Sequence, residues 1–116
     1  MAKPEFEFFP VSGVPFTPCT GVVPELTEQV LAADGDNRGV ATRILRFEAG
    51  ADTTPNGVQV HDFWEEVYIL EGAMTDTRLG QTFSAGQYAC RPPGMPHGPW
   101  TSSEGCLTFE VRYRIK

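Results

Sequence analysis

The amino-acid sequence predicts an all-β chain, a sandwich or barrel of short strands joined by tight turns. Glycine and proline carry the first signal: 12 and 10 residues respectively, scattered through all 116 positions, so that a long helix is hard to place. The second is a succession of short runs rich in β-branched and aromatic residues, each bounded by Gly, Pro, Asn or Asp. The even spacing of these turn signals is the third, and no internal repeat or low-complexity tract interrupts it.

The elements follow in chain order. Residues 1–24 contain Pro4, Pro10, Pro15, Pro18 and Pro24; proline cannot donate to a ladder, so an extended arm or edge segment is expected there. The barrel proper is expected over residues 25–116, opening with a strand from Glu25 to Ala32. Ala33-Asp34-Gly35-Asp36-Asn37 supplies residues that tolerate positive φ, and β-branched and aromatic residues resume from Val40 to Glu48, which predicts a hairpin. Beyond a loop at Ala49-Gly50-Ala51, strands are expected at Val58 to His61, Glu65 to Leu70, Ala73 to Arg78, Gln87 to Arg91 and Leu107 to Arg114. Asn56-Gly57, Gly72, Gly80, Gly86, Pro92-Pro93-Gly94 and Gly105 separate them.

A chain of 116 residues has room for one domain and enough length to bury a core. With 41% apolar and 21% charged residues it matches ordinary globular usage, which argues against disorder or a fibrous fold. A net charge of −6 works against neutralising phosphates, so neither nucleic acid nor an anionic membrane is an expected partner. No stretch approaches the roughly 20 apolar residues of a membrane span. The N-terminal MAKPEFEFFP lacks a basic segment followed by an apolar one, and a cytoplasmic location is expected. Cys19, Cys90 and Cys106 cannot all pair within one chain and form no CxxC; buried thiols are expected, with Cys90 or Cys106 lining a pocket as the alternative.

The chain has two histidines, His61 and His97, each beside an expected strand end. Side chains alternate along a strand, so Gln59, His61 and, if pairing resumes after a short turn, Glu65 can share one face. That face offers an amide oxygen, an imidazole and a carboxylate. Imidazole with carboxylate suits Fe, Mn, Zn, Ni or Cu, and His97 is the other imidazole available to complete such a site.

At this point the residues carry a resemblance. HDFWEEVYILEG, from His61 to Gly72, resembles the first motif of the cupin superfamily, in which a His-x-His pair is followed by a Glu and, seven residues on, a Gly. GQYACRPPGMPH, from Gly86 to His97, is similar to the second motif, Gly-x5-Pro-x-Gly-x2-His, without a gap. The resemblance implies a double-stranded β-helix, the cupin jelly-roll barrel, with His61, Glu65 and His97 as ligands of one divalent transition metal. Fe2+ is the favoured ion and Zn2+, Mn2+, Ni2+ or Cu2+ the alternatives. Gln59 stands where the motif places its first His; it either ligates weakly through its carbonyl oxygen or orients a bound water. Alternation admits one of Glu65 and Glu66 to the interior, and the spacing to Gly72 favours Glu65.

Phe63, Trp64 and Trp100 fall near the implied ligands and are candidates to line a substrate pocket; ordinary core packing is the alternative. Arg91 is a candidate to hold a substrate oxyanion in its guanidinium fork, or else a surface strand residue. EEVYILEG with Gly80, Gly86 and GPWTSSEGC is similar to small single-domain cupins of the acetylacetone dioxygenase kind and to the cupin portion of certain anti-sigma factors. This implies a metal-dependent dioxygenase acting on a small carbonyl compound such as a β-diketone or aryl ketone. A redox-inert lyase or isomerase and a non-catalytic binding module are the alternatives. The sensing relatives are fused to a partner-binding domain and the chain shows no such extension, which sets the expectation toward catalysis. Cupins commonly pair sheet to sheet, so a homodimer is expected, with the arm a candidate to lie across a neighbour's edge strand.

Overall fold

The computed structural model describes residues 3–115; residues 1 and 2 of the arm and residue 116 lie outside them. Regular structure begins with β1 (Thr17–Pro18), β2 (Leu26–Asp34) and β3 (Asn37–Phe47). It continues with β4 (Ala51–Asp52), β5 (Trp64–Asp76), β6 (Gln81–Ser84), β7 (Tyr88–Arg91), β8 (Trp100–Ser102) and β9 (Cys106–Tyr113). Two single 3-10 turns, Val11–Gly13 and Thr54–Asn56, are the only helical segments among the described residues. No helix there is long and apolar enough to cross a membrane.

The strands pair antiparallel in the order β1-β2-β3-β9-β5-β8-β4, with β6 and β7 also bonded to β5. Long β5 is the hinge of the curled sheet. Its first half lies between β7 and β9, and its second half pairs with β6 and β8. Two strands with a turn at Gly72 were expected; instead one strand runs through. Gly72 takes φ +75 and lies against the Gly105 carbonyl, where an added Cβ would collide with backbone. A register shift between Ile69 and Glu71 completes the bend. The glycine signal therefore marks a crossing between strands, not a break in one.

The predicted hairpin is present but tighter, with Gly35 (φ +56) and Asp36 alone at the turn. Val58 to His61 forms no strand: the turn at Thr54–Asn56 and the positive φ of Gly57 leave one isolated bridge, Gln59 to His97. The arm's Thr17–Pro18 pairs with Thr27 and Glu28 of β2 in its own chain. Strands β4, β6 and β8 were not expected, being too short to show an alternating pattern.

The interior has two zones. Leu45, Phe47, Ile69, Met74, Trp100 and Cys106 form an apolar cluster, each large side chain contributing roughly 1.5–3 kcal/mol by leaving water. The other zone is charged. Glu28, Glu65, Glu110 and Arg112 are buried, an arrangement that survives only where each charge meets its opposite.

Candidate metal centre

Register assembles the site. On the inner face, Glu65 of β5 stands directly opposite Arg91 of β7 on one side and Arg112 of β9 on the other. Arg112 Nε donates to Glu65 Oε2 at 2.7 Å, and Arg91 donates to Oε1 at 3.1 Å. Deeper in the barrel Arg43 bridges Glu28 and Glu110, at 2.9 and 2.8 Å, and Thr108 donates to the second Glu110 oxygen. Glu65, Arg112, Glu110 and Arg43 sit on three adjacent strands, so cross-strand opposition supplies the counter-charges.

Both histidines reach this carboxylate from loops. The backbones of Gln59 and His97 exchange two hydrogen bonds, 2.8 and 3.0 Å, and Gly94 N donates to His61 O at 2.9 Å. These bonds stitch the two histidine segments together and leave the imidazole centroids 4.9 Å apart. Buried Asp76 holds the second loop from the far side, accepting from Arg78 N, Leu79 N and Gly98 N. His61 stacks on buried Phe63, centroids 4.5 Å apart at 12°. His97 Nε2 lies 3.7 Å from Glu65 Oε1, and its Nδ1 is 3.4 Å from Met95 O. The tautomer that donates to Met95 leaves the Nε2 lone pair facing the carboxylate.

Electrostatics put all three groups in their metal-binding protonation states. Burial, with Arg91 next, holds the His97 imidazolium down to about 4. His61 is also lowered, chiefly by burial. Burial pushes the Glu65 carboxyl up, but Arg112, Arg43, His97 and Arg91 together hold it at about 2. At neutral pH the site is two neutral imidazoles and an ionised carboxylate.

One ligand atom from each of His61, Glu65 and His97 lies within 4.8 Å of the others. Ligands about 2.1 Å from one ion can be no more than about 4.2 Å apart. Three ligands cannot all lie opposite one another, and tetrahedral neighbours stand roughly 3.4 Å apart, so gathering the three onto a metal needs the side chains to close further on one another. The donor set fits a divalent transition metal. It also fits in its support, because Arg112 grips the carboxylate oxygen turned away from His97.

A cavity of about 450 Å3 opens over this cluster, with Gln59, His61, Phe63, Arg91, His97 and Trp100 on its wall. Gln59 is half-buried and its Nε2 donates to Asn56 O at 2.9 Å. Trp100 is buried, under the Arg91 guanidinium. Trp64 is not on the wall. It precedes Glu65, so alternation turns it to the outer face, where it stacks on Tyr113. Glu66 faces out as well, accepting from Tyr88 and Tyr113. Cys90 is exposed and Cys106 belongs to the apolar cluster; neither lines the cavity, whereas Cys19 does. Sequence reasoning missed Arg112, Arg43, Glu110 and Glu28. For Arg112 and Glu110 the one signal was a polar residue at every second position of β9, which names a face without saying that it points inward.

The model of the ChrR cupin-like domain matches residues 9–115. The chain belongs to the ChrR cupin-like family. Solved cupins share the fold. An RmlC-like cupin from Shewanella frigidimarina aligns with TM-score 0.70 at 21% identity, covering 97% of this cupin and 93% of that chain. An acetylacetone dioxygenase from Acinetobacter johnsonii aligns with TM-score 0.69 at 18% identity, covering 94% and 73%. A structure of Rhodobacter sphaeroides SigE in complex with the anti-sigma ChrR aligns with TM-score 0.62 at 18% identity, covering 89% of this cupin and 51% of that chain. No curated protein matches.

Proposed function

We propose that this cupin is a non-haem Fe(II) dioxygenase acting on a small carbonyl compound of the β-diketone or aryl ketone type. One observation carries the reading: two imidazoles and one carboxylate converge on a cavity with room for a small ligand. Two histidines and one carboxylate with open positions is the donor set of non-haem Fe(II) oxygenases. Bound Fe(II) would supply Lewis acidity toward an enolisable carbonyl and the redox capacity for its reaction with O2. The chain's own groups do the rest. His61, Glu65 and His97 hold the ion, and Arg112 keeps Glu65 ionised and oriented. Arg91 receives the substrate's oxyanion, Gln59 orients a bound water or the substrate through its amide oxygen, and Phe63 and Trp100 exclude water. Elemental analysis of protein purified without chelators, followed by oxygen-electrode assays on diketones and aryl ketones, tests this. Iron with uptake of O2 supports it; zinc or manganese with substrate turnover and no uptake replaces it with a redox-inert lyase or isomerase.

A second reading, a non-catalytic binding module, draws on the family itself, since one structural neighbour is a complex of SigE with an anti-sigma factor. Tight zinc and no turnover of any carbonyl compound would favour it.

A homodimer is proposed through the outer face of β5, β7 and β9, where Tyr68 (44%), Leu70 (39%) and Tyr88 (60%) are exposed beside half-buried Phe109 and Val111. Sedimentation of a Tyr68→Glu variant tests this, an unchanged mass excluding that face. Free thiols at Cys19, Cys90 and Cys106 accord with the cytoplasm as the proposed compartment.

A further inference from the structure

A second cavity, of about 320 Å3, abuts the first. Its walls are largely apolar, with Ile69, Leu79, Phe83, Ala89 and Met95, and carry Asp76 and Arg78 besides Arg91 as charged members. Val67, Met74, Arg91, His97 and Trp100 line both cavities and so form the partition between them. Leu79 (52% exposed) and Met95 (43%) stand at its outer rim, so the chamber opens to solvent on one side and ends at the candidate centre on the other.

The longest side chain of the partition is Arg91. Arg91 spans the boundary, its guanidinium 3.1 Å from Glu65 Oε1 and 5.4 Å from the Trp100 ring centroid. The oxygen it holds is the one that faces His97. A cation gathered by Glu65 and His97 would draw that oxygen away and repel the guanidinium, leaving Arg91 against Trp100 with its donors free for another anion. One end of an apolar chamber would then carry a forked cation beside the centre.

We propose that the side chamber binds the apolar portion of a small amphipathic ligand whose anionic or carbonyl head lies at Arg91 and the His61–Glu65–His97 cluster. The inference rests on the proposed centre for the position of the head. It extends the substrate class from β-diketones and aryl ketones to compounds with an unbranched apolar tail. A tail in the chamber leaves water on Ile69, Phe83 and Ala89, while the head satisfies the one charge on the partition.

Calorimetric titration of the metal-loaded protein with acetate, butyrate, hexanoate and octanoate tests this without any turnover. Affinity is expected to rise about three- to fourfold per methylene, the factor for burying one CH2. Ala89→Phe, which fills the chamber, is expected to flatten that dependence while leaving acetate affinity and metal content unchanged. Leu79→Asp, a change at the exposed rim that spares the core, is expected to weaken octanoate at least tenfold. Equal affinity for acetate and octanoate, no binding of any of the acids, or a chain-length dependence that persists in Ala89→Phe overturns the proposal. So does a Leu79→Asp variant that alters elution volume but not octanoate affinity, which assigns the rim to a second copy. Chain-length dependence without O2 uptake would sink the oxygenase alone; O2 uptake with a flat series would sink the chamber alone.

Discussion

Gln59 and His97 lie 38 positions apart in sequence and bond backbone to backbone as an isolated antiparallel pair, N to O in both directions, at 2.8 and 3.0 Å. This pair, more than any strand, determines whether the two imidazoles meet. It fixes the loop carrying His97 against the one carrying His61 while leaving both side chains free to aim at Glu65.

The backbone, and not the imidazole, makes that join, so His97→Ala is expected to abolish metal retention and keep the fold. Affinity should fall by more than the about 10–100-fold typical of losing a supporting residue. The stability cost should stay below about 2 kcal/mol. Elemental analysis and a urea melt on the same sample check both; full metal occupancy in the variant would remove His97 from the centre.

Arg112→Met is expected to be far more damaging. It leaves Glu65 buried without the guanidinium that bonds Oε2 at 2.7 Å, the strongest of the influences lowering its pKa. Breaking one side of a buried pair costs about 3–5 kcal/mol. Urea denaturation measures the loss. Wild-type stability together with wild-type metal affinity would show that Arg91 alone suffices for Glu65.

Acid should destabilise the metal-free protein in two overlapping steps. His97 is held at about 4 against an ordinary 6.5, and Glu65 at about 2 against 4.5. For each group the unfolded chain binds more protons across that window, so stability is full above the higher value and falls as pH drops through the lower. The His97 step begins near pH 6.5 and the Glu65 step near 4.5. Each step amounts to a few kcal/mol, since each tenfold difference in proton affinity between the folded and unfolded chain is worth about 1.4 kcal/mol. Melts at intervals from about pH 7.5 down to about pH 2 should show the decline, and His97→Ala should lose the earlier step; a flat profile would contradict the burial of both groups.

Gly72→Ala should unfold or loosen the barrel because it acts on backbone. The new Cβ would meet the Gly105 carbonyl at a residue with φ +75. A cost above about 2 kcal/mol is expected, from strain at positive φ plus the collision. Gly80→Ala, also at positive φ (+68) but with open space around it, serves as the control and should cost about 1 kcal/mol. Equal costs would mean that the close approach contributes nothing.

Part of the fold was legible because strand grammar is local. Turn residues marked the β2–β3 hairpin, and runs of β-branched and aromatic residues located β7 and β9 to within a residue or two. The short strands β4, β6 and β8 escaped, since two to four residues cannot display a period, and Val58 to His61 looked like a strand but had no partner beyond one bridge. In β9 the pattern misleads. Leu107, Phe109, Val111 and Tyr113 form the apolar face, yet it is Cys106, Thr108, Glu110 and Arg112 that are buried.

By itself, then, the sequence determined an all-β chain, its cupin motifs, and through them His61, Glu65 and His97 as candidate ligands, because residue type and spacing carry that information along a single strand or loop. Tertiary structure alone decided that Arg91 and Arg112 flank Glu65, that Trp64 stacks on Tyr113, and that a second, apolar chamber adjoins the centre. The physical reason is register. Which residue stands opposite which depends on how distant strands slide against one another when the sheet curls, and a carboxylate becomes a ligand site or a surface charge according to what that sliding brings beside it.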